Sequence, residues 1–182
     1  MKTRLFAAVF AVILPITLLC GCSVKRLTLD EYKTELEAAF KGWTGAVLEW
    51  AEFSAKNVFK DPENPDFDEL CKNRAGLELK IVKVESALDE FDKVGNPPEE
   101  FDELHNKLKN GVSIEREWLK IQRGINASQT KEDYLAALKK AETFFDKYDS
   151  SLENPVTLPM VYAAIVIKQN SAESDQSRAV SQ

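Results

Sequence analysis

The stretch FDELCKNRAGLELKIVKVESALDEF, residues 67–91, places apolar side chains at Phe67, Leu70, Leu77, Ile81, Val84, Leu88 and Phe91. Steps of three and four residues in a seven-residue pattern lay them along one face of an α-helix. Asp89 and Lys93 stand one turn apart on the outer face, where they are expected to pair. One position breaks the stripe: Arg74 occupies a place where an apolar residue is expected. A cation there must pair with an acid or reach water along its aliphatic stem, because an unpaired buried charge is very costly. Arg74 therefore either lies near a bundle end with its head in solvent, or anchors an anionic ligand or partner in a groove.

The flanks of this helix are punctuated. Asp61-Pro62-Glu63-Asn64-Pro65 precedes it, and each proline disfavours helix in the residue before it. Further back, Thr28-Leu29-Asp30-Glu31 is a capping box. From there Leu29, Tyr32, Leu36, Ala39, Phe40, Trp43, Val47, Trp50 and Phe53 form the apolar stripe of a long first helix. Gly42 and Gly45 inside it cost roughly 1 kcal/mol each against Ala, a cost that close approach of a neighbouring helix would explain. Beyond residue 91, Gly95-Asn96-Pro97-Pro98 reads as a C-terminal cap, an N-cap and a first-turn proline. The acids Glu99, Glu100, Asp102 and Glu103 suit the positive end of a third helix.

That third helix carries Phe101, Leu104, Leu108, Val112, Trp118 and Ile121 on its apolar side, and it continues through Asn110-Gly111 because Ile114 and Trp118 keep the phase. Thr130 starts a fourth, with Tyr134, Leu138, Ala141, Phe145 and Tyr148 inward. Residues 156–167 are read as a short fifth helix starting near Pro159, and the polar residues 169–182 as disordered. The predicted fold is all-α: an up-down antiparallel four-helix bundle of long helices, a short C-terminal fifth helix and a disordered tail, with the bundle over residues 28–168.

The first two dozen residues decide location rather than fold. Lys2 and Arg4 precede an uncharged run from Leu5 to Leu19, followed by Leu19-Cys20-Gly21-Cys22. A basic start, a short apolar stretch and small residues before a cut are the parts of an export signal. The run is too short to span a bilayer comfortably, which takes roughly 20 residues. It resembles the signal of bacterial lipoproteins, whose lipobox ends in an obligatory Cys. The resemblance implies a signal peptide over residues 1–21, a diacylglyceryl thioether on Cys22, and a lipid-anchored linker over residues 22–27. An uncleaved anchor and an ordinary cleaved signal are the competing readings. The run from Pro97 through Leu108 is loosely similar to helix starts of small helical lipoproteins, which implies the same class and no activity. An extracytoplasmic, lipid-anchored position on the cell membrane or the outer membrane is thus the expected location, with Lys25 and Arg26 placed to touch anionic headgroups.

Loss of Lys2 and Arg4 moves the net charge from −6 to −8, which argues against a nucleic-acid partner. Cys71 would be the only thiol left, and a buried small hydrophobe is its expected role. Asp102 and His105 have a spacing that could share a metal. A di-iron bundle needs two such pairs, and the chain has 1 histidine. No metal and no cofactor are therefore expected, and His105 reads as partly exposed or capping. The three tryptophans, Trp43, Trp50 and Trp118, are expected mainly in the core. No nucleophile elbow, phosphate loop or zinc spacing is present. The expected role is a non-enzymatic binding protein of the cell envelope that engages another envelope protein. The alternative is a carrier holding a small molecule or metal within the bundle near Arg74 or His105.

Overall fold

The computed structural model describes residues 25–61, 65–148 and 150–180, so the signal peptide, Cys22 and the first part of the linker lie outside the described residues. Among the described residues five α-helices follow one another: α1 (Leu29–Asn57), α2 (Phe67–Phe91), α3 (Asp102–Ala127), α4 (Lys131–Glu142) and α5 (Leu158–Val180). No strand is present among the described residues.

Local chemistry sets the helix starts. The Thr28 hydroxyl accepts from the Glu31 amide, and the Glu31 carboxylate accepts from the Thr28 amide at 2.8 Å, completing the capping box. Asp66 caps α2 through the amides of Asp68 and Glu69, and Thr130 caps α4 through that of Asp133. Pro159 sits in the first turn of α5, where its missing N–H costs nothing.

Cross-helix contacts fix the topology. Glu49 on α1 meets Lys80 and Lys83 on α2, and Glu35 accepts from the Gly95 amide, so α1 and α2 are antiparallel. Arg116 on α3 reaches Asp89 and Asp92, and Arg123 reaches Glu85 and Glu78, which makes α2 and α3 antiparallel too. Tyr32 beside His105 and Trp50 against Trp118 show α1 and α3 running parallel. The fourth, descending column is built from two pieces. Phe145, just past α4, touches Trp118, Leu158 lies against Gly111, and the Lys168 ammonium sits over the Phe101 ring. Thus α4 flanks the C-terminal half of α3, and α5 flanks its N-terminal half.

The four-column bundle is the expected one, but two lengths differ. The fourth helix has only 12 residues, because the apolar pattern shifts phase at the adjacent Phe144 and Phe145. Phe144 is buried instead, and Phe145, expected inward, is exposed in a 3₁₀ turn. The fifth helix is long, 23 residues, and its backbone is helical as far as Val180, within the segment 169–182 expected to be a disordered tail. Once the packed half has nucleated it, each further residue adds a hydrogen bond at low cost, and Ala172, Glu173 and Gln176 are good helix formers.

Two expectations at the connections are also corrected. Gly95 and Asn96 are not caps: α2 ends at Phe91, and a 3₁₀ turn over Glu99–Phe101 leads into α3. Lys93 pairs with Glu90 at 2.6 Å rather than with Asp89, whose carboxylate serves Arg116. The glycines of α1 are not contact points either, since a Cβ at Gly42 or Gly45 would meet nothing within 4 Å. The glycines that close packing does constrain are Gly76, where a Cβ would run into the Phe53 ring, and Gly111, where it would lie 3.0 Å from backbone atoms of Leu158.

Candidate functional site

The buried line of α3 is unusual in its chemistry. His105, Leu108, Val112, Glu115, Leu119, Gln122 and Asn126 are all buried. They follow a seven-residue pattern, and His105, Glu115, Gln122 and Asn126 are its polar members. The expected stripe holds at Phe101, Leu108 and Val112 but gives way by one residue at His105, Leu119 and Gln122, so that Leu104, Trp118 and Ile121 are only half-buried. The reason is that α3 is covered on both sides, by α2 and by the α4–α5 column. Glu115 was not a sequence candidate, because a search for apolar periodicity passes over an acid. It is 6% exposed, and burial pushes its carboxyl up to about 7.

His105 is 4% exposed, not partly exposed as expected. Its Nδ1 lies 3.3 Å from the Tyr32 hydroxyl, and the two rings pack at 5.8 Å. Burial lowers its pKa, Lys109 lowers it further, and Asp102 opposes both. Asp102 is not available as a metal-sharing partner. It holds Arg26 in a bidentate pair, at 2.6 and 2.8 Å. Among the described residues no group of three His, Cys, Asp or Glu side chains could hold a metal ion.

Arg74 turns out to serve the helix end. Its guanidinium donates to the carbonyl of Ser128, the C-cap of α3, and stacks 5.9 Å over the Phe67 ring. That carbonyl is one of those a helix C-terminus leaves without partners. The same terminal nitrogen, Nη2, lies 3.5 Å from Cys71 Sγ, while Nε is buried without a partner. Cys71 itself is exposed, correcting the expectation of a buried thiol. Because Arg74 is level with Ser128, it is 23 residues of α3 from His105, roughly 35 Å at 1.5 Å per residue. The two candidate ligand residues therefore cannot share a small ligand, nor can Cys71 and His105 form a catalytic pair.

At the opposite end the linker is docked rather than loose. The Leu27 amide donates to the Asn96 carbonyl at 2.8 Å, and Arg26 donates to that of Pro97 at 2.9 Å. The Arg26 hydrogen bonds hold the Asp102 carboxyl below its usual range. Arg26 is thus engaged by the bundle instead of being offered to headgroups, and Lys25 remains exposed.

Among the described residues eight large hydrophobic side chains stay exposed, and Leu135, Phe145, Leu152, Met160 and Ile167 belong to the fourth column. Beneath Phe145, Trp118 meets Trp50 edge-on at 4.7 Å. Of the tryptophans, Trp43 is buried and Trp50 and Trp118 are half-buried, with the Nε1 atoms of Trp43 and Trp50 lacking acceptors. Between α3 and α4 runs an open groove of about 500 Å³ with Ile121, Gly124, Ala127, Ala136 and Ala137 as its floor. Neither the tryptophan pair nor the groove could be found from periodicity, because both depend on which helix ends beside which.

No protein-family model matches this chain. No curated protein and no solved structure matches it either. Among the described residues, no helix is long and apolar enough to cross a membrane.

Proposed function

We propose that this chain is a lipid-anchored, non-enzymatic binding protein of the cell envelope, tethered through Cys22 and engaging another envelope protein along its fourth column. The observation that carries the binding role is the gathering of exposed Leu135, Phe145, Leu152, Met160 and Ile167 on one column. Singly exposed apolar residues need no explanation, whereas large exposed apolar patches mark interaction sites, and five of the eight exposed among the described residues fall within 135–167. The anchor is supported by the lipobox and by the docked linker. Only Ser23 and Val24 separate Cys22 from the described chain, so the acyl chains would leave from the end that holds Arg26 and Asp102. Extended residues reach about 3.3–3.6 Å each. That end, where Lys168 of α5 lies over Phe101, would rest close to the bilayer, with α4 at the far end of the bundle.

A photo-crosslinking amino acid at Leu135, Leu152 or Ile167, compared with one at Leu79 on α2, tests this in intact cells. The same discrete protein adduct from the first three positions and none from Leu79 supports the reading. Equal adduct patterns from all four, or none, overturn it. The carrier alternative has weaker support, because Tyr32 closes over His105 and the Ser128 carbonyl occupies the Arg74 guanidinium.

A further inference from the structure

We infer that the α3–α4 groove receives one helix of a partner protein, lying parallel to α3, with an acidic first turn and a basic last turn. This rests on the binding role proposed above and names the chemistry of what is bound.

The groove has a built polarity. Since α4 descends beside α3, Lys120 and Lys140 face each other at its lower end, and Asp133 lines its upper end. The cations of this bundle are mostly committed: Arg116 spans Asp89 and Asp92, Arg123 spans Glu78 and Glu85, and Lys80 and Lys83 share Glu49. Lys120 and Lys140 make no ion pair or side-chain hydrogen bond among the described residues. In a chain of net charge −6, two uncommitted lysines facing one another across an opening leave a local positive site. Between the charged ends the floor is small: Gly124, Ala136 and Ala137 let a backbone come close. A Cβ at Gly124 would meet nothing within 4 Å, so this glycine is not explained by packing inside the chain.

A helix fits this shape better than an extended strand, because a trough between two packed helices accepts the ridge of a third. From Lys120 to Ser128 the trough is about 12 Å long at 1.5 Å per residue, a little over two turns. Acidic side chains favour a helix N-terminus and basic ones its C-terminus. The partner's first turn therefore sits between Lys120 and Lys140, and its last turn at Asp133. Small or aliphatic residues three, four and seven positions after the acid would rest on the floor.

The test uses the full chain, purified from membranes into nanodiscs of zwitterionic lipid, and a displayed library of helical peptides of about three turns, whose first and last turns match the trough. Selected peptides are expected to share an acidic first turn, small or aliphatic residues at the stated spacing, and a basic last turn. Their affinity should fall about tenfold with Lys120→Glu plus Lys140→Glu, as loss of a few rim ion pairs implies. Gly124→Leu, which fills the floor, should abolish binding while helicity and melting temperature are kept. Lys131→Glu, outside the groove, should change affinity less than twofold. Selection of no binders, of peptides without the charge order, or of peptides indifferent to both groove variants overturns the inference. So does a fluorescent fatty acid displacing the peptides with affinity sensitive to Gly124→Leu, since the groove would then hold an amphiphile. If crosslinking from Leu135 and Leu152 succeeds while these arms fail, the binding role stands and only the groove assignment falls.

Discussion

Glu115→Gln should make the protein more heat-stable at pH 8 and leave it unchanged near pH 4.5. The carboxyl is buried on the core line of α3, and burial raises its pKa from 4.5 to about 7. Below pH 4.5 the group is protonated in both the folded and the unfolded chain and contributes no difference. Between 4.5 and about 7 the unfolded chain releases its proton while the folded chain keeps it, so stability falls as pH rises. Above about 7 the folded chain carries the buried charge, and the loss is complete. At 1.36 kcal/mol per pH unit, that window corresponds to about 3 kcal/mol. The neutral amide of Gln keeps the volume and escapes this loss. For a chain of this size 1 kcal/mol moves the melting temperature by about 2–4 °C, so the variant should melt about 6–12 °C higher at pH 8. Thermal unfolding followed by circular dichroism at pH 4.5, 6 and 8 measures it, and every other titrating group cancels in the difference. A gap of the same size at all three pH values, or none at pH 8, would refute the reasoning.

Gly111→Ala places a methyl 3.0 Å from the Leu158 backbone and should cost about 1–3 kcal/mol in urea unfolding. Gly42→Ala and Gly45→Ala, whose methyls meet nothing, should each stabilise by about 0.5–1 kcal/mol in the same assay. Arg74→Leu strips the Ser128 carbonyl of its donor and should cost about 1–3 kcal/mol. Hydrogen exchange should then show the last turn of α3 opening before the rest. Cys71 is exposed, so a thiol reagent should titrate it in the native protein without denaturant; slow reaction limited by unfolding would contradict its placement.

The parts of the fold that one helix decides alone could be read from the sequence. Leu70, Leu77, Ile81, Val84, Leu88 and Phe91 are the buried residues of α2, in the expected order, because that helix buries a single face. The Thr28 and Thr130 caps are equally local. What was missed depends on neighbours. The core line of α3 is displaced because helices cover both its flanks, and Glu115, Gln122 and Asn126 are polar members that an apolar count ignores. Arg74 was singled out for breaking a stripe, yet its partner is a backbone carbonyl 54 residues away, which leaves no mark in local sequence. The docking of the linker likewise follows from which chain ends lie side by side.

The central claim is that a diacylglyceryl group on Cys22 holds this bundle at a membrane surface. Intact-mass and peptide mass spectrometry of the protein extracted from its own membranes tests it most directly. The account predicts a mature N-terminus at Cys22 carrying the mass of the lipid. A chain that begins elsewhere, or a Cys22 with a free thiol, would contradict it.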